Sequence, residues 1–159
     1  MFKNILLCTH GSSGAKKAEA YVFEKLQKGL APEQLTVLTI IDKDWSMMSS
    51  DDWLNTSTTR TQFKDYAQEQ LTREINDDWQ RIRETYPQAE ECRFMNVVGG
   101  IEETIAEVAE KLECDLIVIG PYSKKPNRLT SMIMEKGLAD TISNKKFHPL
   151  LPCPVLIVP

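Results

Sequence analysis

The stretch VVGGIEETIAEVAEKLECDLIVIG, residues 97–120, contains the end of one predicted strand, a helix and a second strand. After Gly99 and Gly100, apolar residues recur at helical spacing along one face: Ile101, Ile105, Val108, Ala109 and Leu112. The run CDLIVIG that follows, from Cys114 to Gly120, is almost entirely apolar, which is typical of a strand buried on both faces of a parallel sheet. Because two parallel strands need a crossover between them, this stretch predicts a βαβ unit.

The same alternation extends over the rest of the chain. Apolar or β-branched runs predict three more strands, Phe2 to Cys8, Gln34 to Asp42 and Cys153 to Pro159, and extend the strand before Gly99 back to Glu91, so that it covers Glu91 to Val98. Helical spacing covers three more segments: Ala15 to Leu26 with a stop at Gly29, Phe63 to Tyr86 with Pro87 after it, and a weak pattern from Met132 to Ser143. Right-handed crossovers between five parallel strands place helices on both faces of one sheet. Residues 1–159 are therefore predicted to form a single doubly wound α/β domain.

Composition and charge exclude several classes of protein. The chain has 159 residues, 42% of them hydrophobic and 26% charged, as expected for one soluble globular domain. A net charge of -4 argues against a dedicated nucleic-acid binder. No apolar stretch approaches the length that crosses a bilayer, and the N-terminus has the pattern of a strand, not of a signal peptide. Neither nucleic acid nor a membrane is therefore predicted as a partner.

The cysteines predict neither a metal site nor disulfides. Cys8, Cys92, Cys114 and Cys153 are widely spaced and form no C-x-x-C pair, and the chain has only two histidines. Because zinc needs clustered ligands, we predict buried apolar thiols in a reducing cytoplasm.

A doubly wound sheet binds ligands at the carboxyl ends of its strands, which directs attention to the loops after Cys8, Ile41 and Gly120. The first of these, THGSSG (residues 9–14), lacks the Lys-Ser/Thr pair of a P-loop and the dinucleotide G-x-G-x-x-G pattern. There is also no G-x-S-x-G elbow to make His10 and Ser12 a catalytic pair. A serine that caps the first helix and a solvent-facing histidine explain the loop more simply, and no catalytic residue is predicted.

Three segments together resemble the universal stress protein family: ILLCTHGSSGAKKA, VVGGIEETIAEVAEKLECDLIVIG, and the closing run that ends in CPVLIVP. The resemblance covers essentially the whole chain. It implies the adenine nucleotide alpha hydrolase-like fold with strand order 3-2-1-4-5, and a cytoplasmic homodimer formed through the C-terminal strand from Val155 to Pro159. Some members of the family bind ATP or AMP and others do not. In the binding members, an acidic residue after the first strand and an apolar residue in the second hold the base. A G-x-x-G-x(9)-G-S/T loop wraps the phosphates.

This sequence matches the family's nucleotide pattern only in part. His10 stands at the acidic position and Ile40 at the apolar one, while Gly120 matches the first loop glycine and Ser123 replaces the second. Ile133 and Met134 stand where Gly-Ser/Thr is expected, and the nearest glycine, Gly137, comes later. The candidate nucleotide-binding residues are Thr9, His10, Ile40, Gly120, Ser123, Lys124, Arg128 and Gly137.

Two functions follow from this partial match. Loss of glycines restricts the approach of the backbone to phosphate oxygens. The leading prediction is therefore a non-catalytic, homodimeric stress-response protein that does not bind ATP in the usual family manner. The alternative is an ATP- or AMP-binding member with a rearranged loop, in which Lys124 and Arg128 supply charge to the phosphates. Weak nucleotide hydrolysis ranks last, because no general base or metal carboxylate is evident at the loop ends.

Two interpretations stay open for the polar segment from Lys43 to Thr59. It contains four large apolar residues: Trp45, Met47, Met48 and Trp53. They would form a lid or a surface for an unidentified signalling partner, or they would pack against their own domain.

Overall fold

The computed structural model describes residues 2–9, 13–42, 57–120 and 150–159 of the chain. The strands are β1 (Asn4–Cys8), β2 (Gln34–Asp42), β3 (Arg93–Gly99), β4 (Leu116–Ile119) and β5 (Val155–Ile157). The helices are α1 (Ser13–Tyr21), α2 (Gln27–Leu30), α3 (Ser57–Thr85) and α4 (Ile101–Lys111). A π-helical turn, Val22–Leu26, joins α1 to α2, and a short 3-10 helix, Pro87–Glu91, follows α3. Within these ranges no helix is both long and apolar enough to cross a bilayer.

The strands form one parallel sheet in the order β3-β2-β1-β4-β5. Cys8, at the end of β1, is aligned with Leu38 of β2 on one side and with Ile119 of β4 on the other. The predicted doubly wound sheet and the strand order implied by the family resemblance are both confirmed.

Helices cover both faces of this sheet. Side chains of a strand point alternately to opposite faces, so Ile5 and Leu7 of β1 pack with Phe23 and Ile82 on what we call the α1/α3 side. Leu6 and Cys8 point the other way, towards α4, with which they share a core that includes Ile105 and Val108. All four residues of β4 are buried, as the apolar run CDLIVIG predicts.

The predicted helical stop at Gly29 is wrong. The helix continues to Leu30, and Ala31 adopts the left-handed conformation, with φ 42° and ψ 61°, while its amide donates to the carbonyl oxygen of Gln27. Pro32 disfavours right-handed helical geometry at the residue before it, so the helix ends at that point although the residue there has a Cβ.

Other boundaries differ from prediction by a few residues. β3 begins at Arg93, not at Glu91, because the chain after α3 first forms the 3-10 helix. β4 begins at Leu116, since the amide of Cys114 still donates to Ala109 at the end of α4. β1 and β5 are likewise shorter than predicted. α3 begins at Ser57, within the segment predicted as a connection, and ends at Thr85 just before Pro87, as predicted. The weak helical pattern from Met132 to Ser143 lies outside the described residues.

Candidate functional site

The strand order reverses between β1 and β4, which places a crevice at the carboxyl ends of these two strands. From β1 the chain proceeds through α1 to β2 on one side, while β4 is followed by β5 on the other. Thr9 follows the last residue of β1, and Gly120 follows the last residue of β4. The first turn of α1 lies beside them.

Gly120 is in close contact with the start of α1. A Cβ atom built on Gly120 would overlap the carbonyl group of Gly14 and would lie 2.9 Å from the amide nitrogen of Ala15. Only a residue without a side chain allows the two backbones to approach so closely. The glycine that the sequence assigns to a phosphate loop therefore permits helix–strand packing at this position.

Thr9 continues the pairing of β1 and points into the α1/α3 side. Its amide donates to the carbonyl oxygen of Leu38 over 3.0 Å. Its hydroxyl donates to Oε1 of Glu19 in α1 over 2.5 Å, and the residue is only 2% exposed. The Thr9 side chain is thus engaged inside the fold, not directed at the crevice.

Glu19 is a buried carboxylate at the centre of a polar network whose arginine is partly exposed. Its Oε2 accepts a hydrogen bond of 2.8 Å from Nη2 of Arg81 in α3, and the side chain is 1% exposed. Nε of Arg81 in turn lies 3.9 Å from a carboxylate oxygen of Asp78. A buried carboxylate is tolerated because it is paired and hydrogen-bonded. We call Thr9, Glu19, Arg81 and Asp78 the Glu19 network.

Sequence reasoning missed the Glu19 network, although the sequence contains one signal for it. Glu19 falls four residues after Ala15 and one residue after Ala18, on the apolar face of the helix that the spacing itself defines. A carboxylate in the middle of an apolar stripe needs a partner, but the pattern does not say that the partner is Arg81.

Ile40 is part of the hydrophobic core. It is 3% exposed, is aligned with Val97 of β3, and belongs to the cluster that contains Leu6 and Ile101 beneath α4. Its neighbour Thr39 points to the opposite face, where its hydroxyl accepts a hydrogen bond of 3.2 Å from Nε1 of Trp79.

Of the eight predicted nucleotide-binding residues, the structure describes three. It brings Thr9 and Gly120 to the same crevice and places Ile40 in the core beside it. The remaining five lie outside the described residues: His10, Ser123, Lys124, Arg128 and Gly137. The segment from Trp45 to Trp53 also lies outside them.

The cysteines agree in part with the prediction of buried apolar thiols. Cys8 and Cys114 are buried, while Cys92 and Cys153 are half-buried, and all four are free. Burial raises the pKa of Cys92 and of Cys114 to about 11, and it also raises the pKa of Cys8 and Cys153. Thiolates are the reactive form, so these groups are poor nucleophiles at neutral pH. Within the described ranges, no three His, Cys, Asp or Glu side chains are grouped as metal ligands.

The model of the universal stress protein family matches residues 1–134. The chain belongs to the universal stress protein family. No curated protein matches it in sequence. Among solved structures, hypothetical protein MJ0577 superposes with a TM-score of 0.66 at 24% identity, covering 99% of this chain and 96% of that one.

Two other structural neighbours of this universal stress protein contain a nucleotide. A universal stress protein in complex with cAMP has a TM-score of 0.58 at 14% identity, with 99% of this chain and 97% of that chain covered. A family protein from Arabidopsis thaliana with AMP bound has a TM-score of 0.55 at 12% identity, with 98% and 90% covered. At these identities the likeness establishes the fold, which is the adenine nucleotide alpha hydrolase-like fold.

Proposed function

We propose that this universal stress protein is a non-catalytic, cytoplasmic, homodimeric binding protein of the stress response that does not hold ATP in the usual family manner. The observation that supports this proposal is the close contact between Gly120 and Gly14. In the direction in which a Cβ of Gly120 would point, the backbone of α1 leaves no space for a methyl group, nor for a phosphate oxygen at that position.

The other described candidates support the same proposal. The hydroxyl of Thr9 already donates to Glu19, and Ile40 is buried beneath α4. The sequence adds that His10 replaces the acidic residue that accepts hydrogen bonds from the base, and that Ser123 replaces a loop glycine. A nucleotide held in the usual way would therefore lack several of its usual contacts.

Calorimetric titration of the nucleotide-stripped protein with Mg-ATP tests this proposal. We expect no saturable heat at micromolar concentrations, with circular dichroism showing that the protein is folded. Stoichiometric binding at micromolar affinity or tighter would refute it, and so would ATP that copurifies with the chain.

An ATP- or AMP-binding role is the second candidate. It is favoured by two structural neighbours, one bound to cAMP and one to AMP, which share the fold over nearly the whole length of this chain. In that case Lys124 and Arg128 would supply charge to the phosphates. Lys124→Ala and Arg128→Ala should then each weaken AMP binding at least tenfold, while Lys28→Ala, an exposed lysine in α2, should leave it unchanged.

The homodimer is proposed to form through the C-terminal strand, Val155 to Pro159. β5 is an edge strand of the sheet, and Ile157 is 41% exposed. An edge strand offers backbone donors and acceptors to a second strand. A groove of about 360 Å³ borders this edge and would admit side chains of the second copy; it is lined by Lys17, Ala20, Tyr21, Glu24, Lys25, Val158 and Pro159.

Light scattering after size exclusion tests the dimer. We expect a mass of about twice 18.1 kDa at micromolar concentration. Ile157→Lys should produce monomers, whereas Val98→Lys, at a side chain 60% exposed on the opposite edge of the sheet, should not. A monomeric wild-type protein would contradict the proposal.

A further inference from the structure

Glu19 joins three separate elements of the fold. Its two carboxylate oxygens accept hydrogen bonds from Thr9, which follows β1, and from Arg81 in α3, while Glu19 itself belongs to α1. Glutamate is rarely so deeply buried unless it is paired, and here the exposed fraction of its side chain is 1%.

Stability alone does not explain an ion pair at this position, in which the carboxylate is buried and the Arg81 side chain is 30% exposed. Apolar residues of similar volume often replace such pairs without loss of stability, because desolvation offsets much of the attraction between the charges. Hydrogen bonds add direction, which apolar packing lacks. The Thr9 hydroxyl and the Arg81 guanidinium can each satisfy Glu19 only from a narrow range of positions.

Two of the elements joined in this way, the end of β1 and α1, border the carboxyl-edge crevice. Thr9 is held from one side by Leu38 and from the other by Glu19. The first turn of α1 is held against Gly120, and Arg81 ties the same helix to α3. A shift of α3 would therefore move both α1 and the end of β1.

We propose that Glu19 and Arg81 are positioning residues that hold the end of β1 and the start of α1 in place before any ligand binds. The Glu19 network thus fixes the positions of these two crevice elements through a bond to α3, and none of its residues needs to contact a ligand. A preset site avoids the loss of conformational freedom that ordering on binding would entail. This inference does not depend on which ligand the crevice accepts, and it can be tested with the unliganded protein.

Hydrogen exchange of the full chain, without ligand, tests the proposal. The readout is the exchange rate of the Thr9 amide and of the amides of α1, compared with the amides of β4, which report global unfolding. Glu19→Gln and Arg81→Met should each accelerate exchange at Thr9 and in α1 at least tenfold more than in β4.

Arg73→Met is the matched control. Arg73 lies on the same helix and also pairs with a glutamate, Glu69, over 2.7 Å, but both side chains are about two-thirds exposed. This variant should leave the exchange pattern unchanged. If Arg81→Met does not fold, Arg81→Lys keeps the charge but loses the fixed geometry of the guanidinium and should give the same local acceleration.

Two results would overturn the inference. Equal acceleration at Thr9, in α1 and in β4 would mean that the pair contributes only to global stability. Unchanged exchange at Thr9 and in α1 would mean that the Glu19 network does not hold them.

Discussion

Replacement of Gly120 by alanine should destabilise the protein strongly. The added methyl group would overlap the carbonyl group of Gly14, and the atoms it meets belong to the backbone of α1, so no side-chain rotation relieves the contact. Inserting a methylene-sized group into a well-packed core costs about 1–3 kcal/mol. Because a whole helix must move here, we expect Gly120→Ala to reach the upper end, about 3 kcal/mol. For a domain of this length that corresponds to a fall in Tm of roughly 6–12 °C.

Gly29→Ala is the matched control, because it makes the same chemical change at an open position. No atom lies within 4 Å of a Cβ built on Gly29, which is inside α2. Alanine loses less conformational freedom than glycine in a helix, so this variant should be more stable than wild type by about 0.5–1 kcal/mol.

Urea and thermal unfolding followed by far-UV circular dichroism would measure both variants. A stability of Gly120→Ala within about 0.5 kcal/mol of wild type, the range of an ordinary surface change, would contradict the expected overlap. In that case the backbones of α1 and Gly120 would lie further apart in solution than in the structure. The backbone of Gly120 would then be free to contact a ligand, and ATP binding in the usual family manner would be compatible with this crevice.

Three further predictions concern the core, a loop contact and alkaline pH. Ile82→Ala, at a side chain fully buried between α3 and the sheet, should lower the free energy of unfolding by about 2–5 kcal/mol in urea titration, and a smaller loss would mean that the site collapses around the cavity. Asp115→Ala should lower the free energy of unfolding by about 1–3 kcal/mol in the same assay, because the Asp115 carboxylate accepts hydrogen bonds from the backbone amides of Lys3 and Asn4 over 2.7 and 3.1 Å. A change near zero would contradict these hydrogen bonds. Burial raises the pKa of Cys114 from 9.0 to about 11, so between these pH values the unfolded chain loses this proton first and stability falls as pH rises. Cys114→Ala should make that decline shallower, and an identical slope would show that the thiol is not shielded.

The sequence was sufficient for the secondary structure where the pattern is long or local. The helical spacing of Leu71, Ile75 and Ile82 in α3 corresponds to buried side chains, and the chain leaves the helix just before Pro87. The error at Gly29 arose because a glycine near the end of a helix is a frequent but not obligatory stop. The following Pro32 determines the end instead, and Ala31 accepts the left-handed conformation.

The candidate site was less predictable, because its contacts join distant parts of the chain. The topology rule depends only on the order of the strands, and the pairing of β1 with β4 confirms that Thr9 and Gly120 follow the ends of neighbouring strands. The rule did not predict which contacts Thr9 and Gly120 make. Arg81 is 62 residues from Glu19 in the sequence, and no local pattern indicates that the two meet.

The sequence by itself determined the family, the alternation of strands and helices, and the edge of the sheet at which to look for a ligand. These features depend on periodicity and on backbone chirality, both of which are local properties of the chain. Only the tertiary structure decided that Gly120 accommodates α1, that Ile40 belongs to the core, and that Thr9 bonds to Glu19. Those roles depend on which surfaces face each other after the helices pack on the sheet. The spacing of residues along the chain does not indicate which surfaces these are.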